Sequence, residues 1–432
     1  MRWLSTFTAW SLAITSALVA TQAVSHAIGS EETHESYGAC ASGHPNFPNE
    51  HFRITKEEEW PLYSWTPEPF DPGKPSVLFF NGGPGQSSHG QEWTLPGWNV
   101  IFWDQRGVAC SKPKSKSAYL DQNRYSIEGT ADDALKILEL YGLSNVSLLA
   151  VSYGTAPATV FAHRYPGHVR SIVLEGTLAN GTRELHDLAH AQKILIRFFD
   201  DLPPDDQTML RSWSTLPGIS PTWFSRLGYY FLTLNDGLTK LGLFLDRLKE
   251  MGVPDPSFFD NFGDREFDDD PLGFSAVVFA AVACGELSQG IDGSTSGLVV
   301  SNQALVLAED NGAKRLCAKY DFRKTHDFLA INYPVENKII YFQGVLDGAT
   351  EATQAIEHFR SVPQNGASLY LRVDGGHSPL LGEITDRFSN QPHLQERYRG
   401  YLSQALYGED PNLEAENMVI WKLAKHPGHT GR

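Results

Sequence analysis

The sequence predicts an α/β protein built on a mostly parallel central sheet, with helices on both faces and a mainly helical insertion. Three observations carry that expectation. Apolar runs that do not alternate with polar residues end in turn residues at "PSVLFFNGGPG" (75–85), "WNVIFWDQRG" (98–107), "VSLLAVSYG" (146–154) and "VRSIVLEG" (169–176). Strands covered on both faces read this way. Between two of them, "GTADDALKILELYG" (129–142) places Ala134, Ile137, Leu138 and Tyr141 at helical spacing, with Thr130 able to cap its start. After a break in the rhythm over 177–335, strands resume with "NKIIYFQGVLDG" (337–348) and "ASLYLRVDGGH" (367–377). Strand and helix in alternation are the mark of an α/β architecture.

Taken in order, residues 1–27 read as an export signal: Arg2 supplies the charge, "WLSTFTAWSLAITSALVA" the apolar middle, and small residues ending at Ala23 or Ala27 a cleavage site. The alternative, a membrane anchor, fits less well because Ser and Thr interrupt a stretch that is short for a spanning helix. The expected destination is the periplasm or the medium, with no membrane attachment after cleavage. Residues 28–176 form the first part of the core, and "HFRIT" and "WPLYSW" are possible edge strands. The insertion, 177–335, is rich in Phe, Leu and Trp and reads as a helical lid; its acidic run "DNFGDREFDDD" (260–270) reads as a solvated loop. Residues 336–432 complete the core, with helices at "ATQAIEHFRSV" and "QERYRGYLSQALYG".

Composition narrows the function. A chain of 432 residues with 41% hydrophobic and 12% aromatic content is long enough for a large core. Its formal net charge of −16 argues against nucleic acid or anionic lipid as partner and weakly favours an amine-bearing ligand. Four cysteines, Cys40, Cys110, Cys284 and Cys317, contain no CxxC, so disulfides fit them better than zinc. Three pairings are possible; chain order favours Cys40 with Cys110 and Cys284 with Cys317.

The chemistry centres on "LLAVSYGTAP" (148–157), where a strand ends at Ser152 and a helix begins among small residues. A serine at such a turn is held above the sheet in a strained conformation, and its neighbours must be small for strand and helix to pack closely. The pattern G-x-S-x-G is met at Gly154, while Ala150 stands at the first glycine position. A hydroxyl is a poor nucleophile without a base, and the base needs an acid to fix its tautomer. His377 follows the strand "LYLRV" and Asp347 follows "IIYFQG". Both therefore emerge at the carboxyl edge of the sheet, where open α/β proteins bind ligands. The chain order Ser, Asp, His is that of the α/β-hydrolase fold. Backbone amides of Tyr153 and of Gly83, in the "NGGPG" loop, are the candidate oxyanion donors. No metal or organic cofactor is called for.

Together, "NGGPG", "DQRGVACS" (104–111), "VSYG", "GVLDGAT" and "GGHSPL" resemble the α/β-hydrolase peptidases that include proline iminopeptidase and tripeptidyl aminopeptidase, over roughly residues 75–180 and 335–385. The resemblance implies an exopeptidase that removes residues from the free amino terminus of short peptides under a helical cap. It makes Arg106 a structural brace near the site. "ACGE" (283–286) is similar to a segment of secreted members in which a cysteine pairs with a later one, and it makes Glu286 the candidate for binding the substrate ammonium. Two departures, Asn81 where cytosolic members often have His, and Ala150, bear on substrate choice more than on the reaction. A carboxylesterase or lipase using the same machinery is the alternative, and a non-catalytic binding module on this fold is a further one. The number of subunits is left open.

Overall fold

The unbroken apolar runs form the middle of one sheet. The computed structural model describes residues between 52 and 423, apart from 56–59, 90, 92, 182–187, 215, 217–222, 253–273, 288–311, 363–365, 386–391 and 414–417. Residues 1–27, read above as an export signal, Cys40 and the acidic run at 260–270 therefore lie outside the described residues. Nine strands among the described residues, β1 (Phe52–Ile54), β2 (Tyr63–Trp65), β3 (Ser76–Phe80), β4 (Asn99–Trp103), β5 (Val146–Val151), β6 (Val169–Glu175), β7 (Ile339–Gly344), β8 (Ala367–Arg372) and β9 (Met418–Leu423), pair in the order β1-β2-β4-β3-β5-β6-β7-β8-β9. From β4 to β8 all neighbours are parallel. Antiparallel pairs close both sides.

Every residue of β3, β4, β5, β7 and β8 is buried. Helices on both faces explain this. On one face α2 (Ile127–Tyr141), α3 (Thr155–Arg164) and α10 (Ala352–Ser361) bury Ala131, Ala134, Ile137, Leu138, Phe161 and Phe359 in a core shared with Leu78, Ile101, Leu148 and Tyr341. On the other, α12 (Pro392–Leu406) packs Tyr398, Leu402 and Leu406 against Phe79, Leu149, Val173 and Phe342. α1 (Lys116–Tyr119) is a single turn before α2.

Two details depart from the sequence reading. Helix α2 begins earlier than the pattern suggests, and its N-cap is Ser126, whose hydroxyl accepts from Gly129 N–H at 2.9 Å. Thr130 is already inside the helix, donating its hydroxyl to Ser126 C=O at 3.0 Å. The cap goes to the residue that still has extended backbone, here φ −153°, because only there does the hydroxyl reach the orphan N–H groups. The closing edge strand β9 was also not expected: its residues "MVIWKL" pair antiparallel with β8 over six residues. Its alternation is too short to separate from a loop without its partner.

Between β6 and β7 the described elements are helical: α4 (Leu188–Asp200), α5 (Pro204–Ser214), α6 (Trp223–Leu232), α7 (Gly237–Met251), α8 (Ala276–Val282) and α9 (Gly312–Tyr320). They divide by what they bury. α4 to α7 share a cluster of their own that includes Leu195, Phe199, Trp213, Phe231 and Leu245. α8 is buried on every side and belongs to the core of the sheet, as its uninterrupted sequence "AVVFAAV" requires. A disulfide joins Cys284, just past α8, to Cys317 in α9, with Cα atoms 5.8 Å apart. The one further α-helix among the described residues, α11 (Leu381–Thr385), follows β8.

Candidate active site

The serine sits where strand gives way to helix. Val151, the last residue of β5, has extended backbone, and Ser152 has φ +56°, a left-handed conformation that L side chains rarely adopt. The strain lifts the hydroxyl off the sheet, and the helix α3 follows at once. Gly154 is fixed by close approach: a Cβ there would lie 2.2 Å from Phe80 C=O and 2.6 Å from Asn81 C=O. Ala150, by contrast, is fully buried and accommodated.

The acid is wholly inside the protein. Asp347 accepts from Ala349 N–H (2.8 Å), Thr350 N–H (3.0 Å), Thr350 Oγ1 (2.6 Å) and Gln343 Nε2 (3.0 Å). His377 Nδ1 lies 3.0 and 2.9 Å from its two oxygens. Burial alone would raise the Asp347 pKa, but the His377 charge and these donors outweigh it and hold the carboxyl below its usual range. The acceptor-only carboxylate assigns the Nδ1 proton to the imidazole, leaving Nε2 without one in the neutral ring. For His377, burial disfavours the charged form, yet Asp347 and then Glu175 more than compensate, and its pKa is raised.

Register brings His377 to the strand next to Ser152. β5 and β6 are parallel with Val151 opposite Glu175, so Ser152 and Gly176 leave adjacent strands together. A Cβ on Gly176 would lie 2.7 Å from His377 Cε1, which means that the imidazole rests directly on that glycine. Adjacent strands are about 4.8 Å apart. Among the described residues no hydrogen bond joins Ser152 Oγ to His377; in unliganded sites such bonds are often long and tighten with substrate.

The glycine loop borders the serine on the other side. A Cβ on Gly82 would lie 3.3 Å from Ser152 Cβ, and Gly83 has φ +112°, accessible to glycine alone without strain. Asn81, one of the two departures, anchors this loop: its side-chain amide donates to Ser87 C=O at 2.6 Å and its oxygen accepts from Gly82 N–H at 2.9 Å. The pairing of "NGGPG" with "DQRG" also has a physical cause. Buried Asp104 accepts from Ser87 Oγ (2.9 Å) and Ser88 N–H (2.8 Å), so the second motif ties down the chain leaving the first. Arg106 braces helix α2 through a two-pronged pair with Asp133.

Glu286 lies on the turn after α8 and is 3% exposed. One oxygen accepts from Ile127 N–H at the start of α2 at 2.8 Å; the other is 3.6 Å from His326 Nε2. Burial, with Glu128 nearby, pushes its pKa up to about 7 despite the backbone bond. The sequence reading missed a second acid. Glu175, fully buried at the end of β6, accepts from Leu380 N–H (2.9 Å) and Leu381 N–H (3.0 Å), just beyond His377. Burial raises it to about 8. Gln343 and Thr350, which hold the aspartate, were missed as well, though Thr350 lies within the "GVLDGAT" stretch.

A strained serine after a central strand and a buried Asp-His pair at the same sheet edge define a hydrolase-type scaffold. Residues 75–383 match the α/β hydrolase fold family, and the chain belongs to it. It is 26% identical over 204 residues to a proline iminopeptidase of Saccharolobus solfataricus, covering 44% of this chain and 56% of the relative. It is 23% identical over 165 residues to one of Thermoplasma volcanium, covering 37% and 51%. The chain thus spans about half the length of these curated relatives. Among solved structures, VinJ is matched over 84% of this chain and 99% of its own, with a TM-score of 0.47 and 16% identity.

Proposed function

We propose that this protein is a serine exopeptidase that removes residues from the free amino terminus of short peptides, and that it is exported. Ser152 attacks the scissile carbonyl while His377 Nε2 takes its proton. Asp347 orients the imidazole and stabilises its charged form, and the amides of Gly83 and Tyr153 receive the oxyanion. The leaving amine takes the proton from His377, and water then releases the acyl group with His377 again as base. The observation that carries this reading is the fully buried Asp347 paired with an imidazole that rests on Gly176, one strand from Ser152.

The substrate class rests on Glu286 and on the partial similarity to proline iminopeptidases. A buried carboxyl whose pKa is near 7 gains from an ammonium beside it, because the cation restores the ionised form that burial opposes. Turnover of an aminoacyl arylamide compared with its N-acetylated counterpart tests the reading, together with a panel of tripeptidyl arylamides. Blocking the amine is expected to remove nearly all activity. Equal turnover of both would identify an esterase-like enzyme instead, and no fluorophosphonate adduct at Ser152 in the folded protein would leave only a binding module.

A further inference from the structure

The loop that carries His377 is held by the helical insertion. His377 N–H donates to Thr233 C=O at 3.0 Å, and Gly376 N–H donates to Asn235 Oδ1 at 3.2 Å. The same asparagine donates through Nδ2 to Pro379 C=O at 3.2 Å and Glu383 Oε1 at 3.0 Å. Asp236 N–H closes the contact on Asp374 C=O at 2.9 Å. Four residues of the turn between α6 and α7, Thr233 to Asp236, thus run along the loop from Asp374 to Pro379.

The fit is close. Asn235 is 7% exposed, and a Cβ on Gly376 would lie 2.5 Å from Leu234 C=O. On the aspartate side, Leu346 packs into the insertion's own cluster, and a Cβ on Gly348 would lie 3.0 Å from Leu232 Cβ. Buried N–H groups left without acceptors are costly, so Gly376 and His377 have no equivalent resting place once this turn withdraws.

Resting on the serine-hydrolase reading above, we propose that the turn Thr233–Asp236 is a working part of the catalytic apparatus and that Asn235 is a positioning residue for His377. Asn235 bridges the residue before the imidazole and the residue two beyond it, so it sets the path of the main chain that carries the base.

The test uses the full chain carrying Asn235→Leu, which fills the space without the bonds. The acylation rate of Ser152 by a fluorophosphonate is expected to fall by about 10- to 100-fold, since a misplacement on the order of 1 Å is worth that much. The kcat for arylamide should fall with it, while KM moves little. Wild-type acylation in folded Asn235→Leu would overturn the proposal. A second pair covers misfolding. Asn235→Asp keeps the acceptor for Gly376 but sets a carboxylate against Glu383, and adding Glu383→Gln reverses that donor and acceptor. Recovery of acylation in the double variant relative to Asn235→Asp supports the role; absence of recovery, with the double variant folded by circular dichroism, overturns it. A wild-type protein that takes no fluorophosphonate sinks the hydrolase reading itself, a result distinct from these.

Discussion

Ala150 and Gly154 flank the same serine yet answer to different constraints. Ala150 lies inside a strand whose neighbours leave room for one methyl, whereas the position of Gly154 is filled by two carbonyl oxygens of the chain leaving β3. Neither oxygen is able to move aside without breaking the turn into the glycine loop. Gly154→Ala is therefore expected to destabilise the fold by about 3 kcal/mol, near the upper range for overpacking. Ala150→Gly should cost about 1 kcal/mol through strand entropy and lost packing. Urea unfolding of the two variants checks the contrast; equal losses would show that the close approach at Gly154 does not set the difference. The sequence announced this asymmetry only as a missing glycine, because a motif records residue types and not the distance to β3.

The elements show where local signals compete. The apolar spacing put the cap of this helix at Thr130, and the fold puts it at Ser126. Only the folded backbone shows that Ser126 is still extended while Thr130 is one turn inside. Ser126→Ala should cost about 1 kcal/mol, the usual worth of a cap. Thr130→Ser, which keeps the hydroxyl inside the helix, should change stability by less than half as much. Thermal unfolding distinguishes them, and a larger loss at position 130 would return the cap to the threonine. The same helix receives Glu286 at Ile127 N–H, so its first turn is served by a side chain 159 residues further on. No local pattern contains that partner.

For the whole molecule, buried ionisable groups set the response to pH. Glu175, Glu286 and Asp104 are raised by burial to about 8, 7 and 6. The folded chain holds protons there that the unfolded chain has released, so stability falls as pH climbs from about 4.5 towards 8. His358 works in the opposite sense. It lies between Thr159 and Tyr341, and burial lowers it to about 3, so the unfolded chain takes up the proton below the ordinary histidine value of 6.5. That group costs about 1.4 kcal/mol for each unit below 6.5. Between 4.5 and 6 three carboxyls oppose one imidazole, and the net effect favours acid. Below that range the carboxyls no longer help, and Asp347 and Asp410, both held low, lose stabilisation as they protonate. Stability should peak at about pH 4.5, where the carboxyls stop helping. Urea midpoints measured at pH 4, 5, 7 and 8.5 check it, and a steady rise from 5 to 8.5 would contradict the assignment of the buried acids.

What the sequence by itself determined was the sheet, the order of its chemistry-bearing residues and the edge they occupy. Periodicity and chain order are enough for that, since a parallel strand buried on both faces has to be apolar and has to deliver the next residue to its carboxyl end. Tertiary structure decided the rest: that Asp347 is ringed by Gln343 and Thr350, that Glu175 stands behind His377, that β9 finishes the sheet, and that Asn235 grips the histidine loop. Each of these is a contact between segments far apart in the chain. Such contacts follow from packing and from the need of buried polar groups for partners, and neither leaves a pattern in the residues nearby.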